Sequence, residues 1–373
     1  MIRSNMARST ARPIVLALIA GSAIGQPVGE EVVAGQASFS RSGNLTEITA
    51  ADNSIINYQS FNIGAGETVR FVQPGADARV LNRVLGQDPT RIDGSLISNG
   101  RVYIVNEQGV YFGSRAIVDV GAIHAAAGRM TDADFLGGID RFTNMTGAVE
   151  NRGMIRAGEV HLAGRRVTNL GAIVAPEGLV TMSVGDRVLV GEHDGHVFVS
   201  AGSSGNATGE VEQRGTIDAA GGKVMVGAGD MFSIAIGPSS SIRAQSVDVR
   251  GGNESIVTVS GSIDVSDTAP GRRGGDVVIT GDGVALLGAN IDASGAVGGG
   301  QIHIGGGFQG NDPTIDHASR LNVNRQTTLR ADATQSGDGG EIVMWSDDAT
   351  LFTGRASARG GQAGGNGGLV EVS

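Results

Sequence analysis

Asn151-Arg-Gly-Met-Ile155-Arg-Ala157 returns eighteen residues later as Asn169-Leu-Gly-Ala-Ile173-Val-Ala175. The same theme recurs at Gly215-Thr-Ile217-Asp-Ala219. Looser copies stand at Ser240-Ser-Ile242-Arg-Ala244, Gly261-Ser-Ile263-Asp-Val265 and Ala289-Asn-Ile291-Asp-Ala293. Between them runs a second theme, a glycine pair followed by an alternating strand. It appears as Gly221-Gly-Lys-Val-Met-Val226, Gly274-Gly-Asp-Val-Val-Ile279, Gly299-Gly-Gln-Ile-His-Ile304, Gly339-Gly-Glu-Ile-Val-Met344 and Gly367-Gly-Leu-Val-Glu-Val372. The Ile positions 217, 242, 263 and 291 lie 25, 21 and 28 residues apart. A strand-only unit of this length, repeated, predicts a parallel β-helix. Each turn of the superhelix is a coil of two or three short strands. Gly and Asn take the corners, and the recurring Ile faces inward. One coil alone cannot bury enough to offset the entropy of ordering it, so the coils need neighbours.

Composition agrees. Glycine supplies 62 of 373 residues, proline only 8, and the aromatic share is 4%. Small aliphatic side chains must therefore build the core. Cysteine is absent, which excludes a disulfide framework, a thiol nucleophile and any Cys-ligated metal. Acidic residues outnumber basic ones 38 to 28. Nucleic acid is not an expected partner, because phosphate neutralisation needs the opposite balance. Lys223 is the single lysine. From Glu30 onward no sustained helical periodicity is visible, only short β-branched or aliphatic runs cut by Gly, Asn and Asp. Strand edges at the N-terminal end need a cap other than a coil. No such cap follows the last strand, and the sequence is expected to be part of a longer solenoid.

The first 25 residues predict an export signal. Arg3, Arg8 and Arg12 precede the apolar run Ile14–Ala20, and Ala23-Ile24-Gly25 offers small residues for cleavage. That run is too short to span a bilayer.

The segment 53–113 has a different character. It reads Asn53-Ser-Ile-Ile-Asn-Tyr-Gln-Ser-Phe-Asn-Ile-Gly64, then Val80-Leu-Asn-Arg-Val84, then Asn99-Gly-Arg-Val-Tyr-Ile-Val-Asn-Glu-Gln-Gly109. These strings resemble the N-terminal secretion domain of filamentous-haemagglutinin-type exoproteins, the passengers of two-partner secretion. The similarity covers about residues 27–200 and is densest over 53–121. It implies a right-handed parallel β-helix with an N-terminal β cap and extra-helical strands. It also implies a partner, an outer-membrane barrel with periplasmic transport domains, and delivery through the periplasm to the cell surface or medium. Three regions are expected: a signal over 1–25, a secretion domain over 26–200 and Gly-rich filament coils over 201–373. The whole is expected to be a non-enzymatic adhesin-like exoprotein without a cofactor. A host or bacterial surface receptor or glycan stands as a further partner.

Two family motifs depart. Asn-Pro-Asn-Gly is here Asn106-Glu-Gln-Gly109, and Asn-Pro-Asn-Leu is replaced by Gln73-Pro-Gly-Ala76. Asn106 and Gly109 still suit the first and fourth positions of a type I turn.

Asn57, Gln59, Asn62, Asn82, Arg83, Asn106 and Gly109 are the candidate transporter-recognition or structural-turn residues. The alternative for the amides is that they satisfy backbone groups at corners. Tyr58, Phe61, Phe71, Tyr103, Tyr111 and Phe112 read as core and cap packing. His193 and His196, with Glu192 and Asp194, offer metal-type donors, although a turn between two strands explains them equally. Asp218, Asp264 and Asp292 follow the recurring Ile, and a stacked acid row can serve Ca²⁺ or sugar cleavage. That row shows no accompanying basic repeat, so outward solvation is the simpler expectation. A β-helical polysaccharide lyase or hydrolase is the competing class.

Overall fold

The computed structural model describes residues 25–193, 196–202 and 208–373. The export signal expected over 1–25 therefore lies almost wholly outside the described residues. The chain winds into the expected parallel β-helix, with three strands to a regular coil. One such coil comprises Ala148–Asn151, Met154–Arg156 and Glu159–Gly164; the next comprises Arg166–Asn169, Ala172–Val174 and Leu179–Val184. Corresponding strands pair in parallel and in register: Val149 faces Val167, Ile155 faces Ile173, and Val160 faces Val180. One of the three faces is a ten-stranded sheet.

The Ile theme is a column of inward side chains. Ile155, Ile173, Ile217, Ile242, Ile263 and Ile291 sit on successive coils and are completely or almost completely buried. Each apolar residue thus packs on its like above and below, and narrow aliphatic layers fill the interior without large aromatic rings. The glycine pairs mark a corner where coils touch. A Cβ on Gly340 would lie 2.0 Å from the Gly300 carbonyl oxygen, and one on Gly368 would lie 1.9 Å from that of Gly340. Only glycine permits that approach.

The N-terminal end is closed by antiparallel strands. Glu31–Ala34 pairs with Ser54–Tyr58, and Ala37–Ser42 folds back on Leu45–Ala50. Ala37 and Phe39 pack on the end of the core. This is the non-coil cap expected for an exposed edge.

Among the described residues, a short helix and a small sheet stand outside the coils near the N-terminal end. A five-residue helix, Asp132–Leu136, interrupts the strand pattern. Thr131 caps it by accepting from the Asp134 amide, acids fill its first turn, and Gly137 follows it. A helix of one turn is too short to show a period, which is why the sequence reads as all strand. A three-stranded antiparallel sheet of Asp140–Thr143, Arg187–His193 and His196–Gly202 lies outside the coils. Helix and sheet roof a second apolar cluster that includes Tyr103, Met130, Phe135, Phe142, Met145 and Val188.

Candidate functional site

The roof changes the chemistry of the strand face beneath it. Tyr103 (on Arg101–Val105), His124 (on Ala122–Ala126) and His161 (on Glu159–Gly164) are register partners on three consecutive coils. Strand alternation turns their neighbours Val102, Ile123 and Val160 inward and these three rings outward. The rings stack: Tyr103 and His124 centroids are 3.9 Å apart, His124 and His161 centroids 4.3 Å. Phe135 of the helix meets Tyr103 edge-on at 5.3 Å.

Carboxylates close the group. The Tyr103 hydroxyl donates to Asp140 Oδ1 at 3.0 Å, and Asp140 Oδ2 lies 3.7 Å from His124 Nδ1. His161 Nδ1 is 2.9 Å from Thr181 Oγ1, and its Nε2 is 3.6 Å from Glu159 Oε2. Arg101 donates to the same Glu159 oxygen at 2.8 Å. Among the described residues, neither ring nitrogen of His124 has a hydrogen-bond partner. Burial, then the neighbouring His161 and Arg101, hold the His124 imidazole well below its ordinary value, so it is neutral. Burial raises the Asp140 carboxyl, against the opposing pull of His161 and Tyr103. His161, and after it Arg101, hold Glu159 low. A cleft of about 650 Å³ opens onto the group, with Arg101, Asp140, Glu159, His161, Glu177 and Lys223 in its wall. Two imidazoles with two carboxylates form a donor set suited to a divalent cation. Its one trace in the sequence is that His124 and His161 hold the same place three residues after a corner glycine, Gly121 and Gly158.

The residues singled out from sequence are scattered through the first coils. Asn82 is buried and donates to the Tyr103 carbonyl oxygen at 3.0 Å. Asn106 is buried, donates to the Asp88 carbonyl oxygen at 3.0 Å, and accepts from the Gln108 amide at 2.9 Å. The Gly109 amide donates to the Asn106 carbonyl oxygen, and Gly109 has φ +119°. The hydrogen-bonded turn therefore persists although the family's Pro-Asn pair is Glu107-Gln108 here. Asn62 accepts from the Arg91 amide at 2.8 Å and donates to Ser60. Arg83 links Asn57, the Met130 carbonyl oxygen and Asp132, which ties a coil to the helix. Gln59 is exposed. Tyr58, Phe61, Phe71 and Phe112 are buried in the coil core, Tyr103 is buried in the cluster under the roof, and Tyr111 is half-buried.

The acid row is in fact a mixed row. Register places Asp218, Arg243, Asp264, Asp292 and Arg330 on successive coils, so arginines do accompany the acids. Unequal coil lengths conceal this in the sequence. Asp218, Asp264 and Asp292 each accept from the amide two residues on, and Arg330 donates to Asp292 at 3.3 Å. They close corners as Asx turns do. Register sets His193 opposite His196, and the side chains of both, like those of Glu192 and Asp194, lie outside the described residues.

The comparisons with known proteins point one way. The sequence profile of the TPS secretion domain matches residues 27–267. The chain belongs to the TPS secretion-domain family. The TPS match runs past residue 200 into the Gly-rich coils. The crystal structure of the HMW1 secretion domain from Haemophilus influenzae superposes with a TM-score of 0.79 at 26% identity, covering 93% of this chain and 94% of that one. Two Haemophilus influenzae proteins, each named heme/hemopexin-binding protein, are 37% identical over 100 residues and 36% identical over 81. Those alignments cover 26% and 22% of this chain, and only 11% and 9% of the relatives' own length.

Proposed function

We propose that this chain is the secretion-competent start of an exported two-partner exoprotein, non-enzymatic and adhesin-like. It is recognised in the periplasm by an outer-membrane barrel with periplasmic transport domains and passed to the cell surface or medium. The observation that carries the proposal is the TPS match over residues 27–267, together with the HMW1-like fold. Recognition is assigned to residues 26–200, and the coils over 201–373 form the beginning of a filament. The heme/hemopexin-binding names of two relatives favour a ligand-capturing role for what the filament finally presents.

Of the candidate residues, Gln59 is the one freest to meet a partner. It lies beside two exposed apolar side chains, Val28 at 47% and Leu85 at 62% exposure. The Gln59 amide donates to the Val28 carbonyl oxygen, and the Leu85 amide to that of Tyr58, so all three share one edge of the first coils. Asn57, Asn62 and Arg83 are half-buried nearby, whereas Asn82, Asn106 and Gly109 shape the coils that present them.

The test is binding of the purified chain to the periplasmic domains of the cognate barrel. Gln59→Arg with Leu85→Asp should weaken binding at least tenfold while leaving circular dichroism unchanged. Equal binding by this variant would remove the recognition edge; no binding by the native chain would remove the partner.

A further inference from the structure

We propose that His124, Glu159 and His161, with Asp140 from the extra-helical sheet, form a site for one divalent transition-metal ion of the Zn²⁺ class. Ligand atoms of the first three lie within 4.8 Å of one another. His124 is the independent observation. Its ring is 1% exposed, and among the described residues neither nitrogen has a hydrogen-bond partner. A neutral imidazole carries one donor and one acceptor, and burying both unmet is costly. Coordination would engage one of them.

The surrounding bonds aim the other donors. Thr181 engages His161 Nδ1, which leaves Nε2 facing Glu159. Tyr103 engages Asp140 Oδ1, which leaves Oδ2 facing His124. Such outer partners are what a metal site needs to fix ring orientation. Imidazole and carboxylate donors without thiolate suit Zn²⁺, Co²⁺ and Ni²⁺. Two carboxylates would balance the charge of the ion. Bonds of about 2.0–2.2 Å require the donors to close in by roughly an ångström. Asp140, Glu159 and His161 line the cleft through which an ion would enter. Arg101 would release Glu159 and turn to Asp77, whose carboxylate is already 3.6 Å away. The ion would join two coils to the roof, so it would bind the folded chain alone and stabilise it.

The experiment uses the full chain, stripped with a chelator and titrated with Co²⁺, with d–d absorption as the readout, and then with Zn²⁺ by calorimetry. One equivalent per chain is expected, with Zn²⁺ raising the melting temperature. Glu159→Gln and His161→Gln should each weaken binding at least tenfold. The double variant His193→Gln/His196→Gln should bind as the native chain does. Should His161→Gln fail to fold, Glu159→Gln decides, because that carboxylate is one-third exposed. No stoichiometric binding by the native chain would overturn the proposal. So would binding that survives Glu159→Gln, or binding that is lost only in the His193/His196 variant.

Discussion

The side-chain amide of Asn151 donates to the Asn169 side-chain oxygen at 2.8 Å, deep inside the ten-stranded face. Asn169 repeats the bond to Gln213 Oε1 at 2.8 Å, and Gln213 ends the chain of bonds on the Gly215 carbonyl oxygen. All three amides are completely buried. Coils are thus held together by a polar ladder inside an aliphatic core, where unmet partners are expensive. Asn169→Leu would strand the Asn151 donor and the Gln213 acceptor. The expected loss is about 2–4 kcal/mol, at about 1–2 kcal/mol for each unmet group, read from urea unfolding. Replacing all three amides with Leu should recover part of it. A single variant as stable as the native chain would show that the ladder contributes nothing.

Arg83 couples the coils to the roof. It spans Asn57, the Met130 carbonyl oxygen and Asp132 at the start of the helix. Arg83→Ala should loosen residues 131–143 by about 1.5–3 kcal/mol, the range for hydrogen bonds to charged groups. Amide exchange there should quicken while the inner coils stay protected. Unchanged exchange at the buried Phe135 would contradict this.

Tyr58 makes the alkaline side of the stability curve informative. It is buried, and among the described residues its hydroxyl has no partner. Burial, and after it Glu30, raises its pKa above the ordinary 10.0. The folded chain keeps this proton where the unfolded chain loses it. Its contribution is therefore complete below about pH 10 and falls as pH rises beyond that, by about 1.4 kcal/mol per unit. Tyr103 shifts in the same direction, through burial and then Asp140. Tyr58→Phe should roughly halve the alkaline slope and gain about 1 kcal/mol at neutral pH, since a stranded hydroxyl is removed. An unchanged slope above pH 10 would show that Tyr58 ionises freely in the folded state.

The coil architecture was legible because Ile155, Ile173 and Ile217 recur with their glycines, and strand periodicity survives any loop length. The corner role of Asn106 was legible for the same local reason, an Asx turn within four residues. The roof was not. Its helix is a single turn, and two of its three strands, Arg187–His193 and His196–Gly202, lie far along the chain, so nothing local announces that the face of His124 and His161 is covered. Alternation assigns those rings to solvent, and only the roof makes them a buried group. The arginines opposite Asp264 and Asp292 stayed unread because the register was hidden by coils of unequal length.

The proposed export through a partner barrel can be read directly. The most direct measurement is the amount of full chain in the medium of a Gram-negative host, with and without its cognate barrel. Release should require the barrel and be lost when residues 53–113 are deleted. Accumulation in the periplasm whether or not the barrel is present would contradict it.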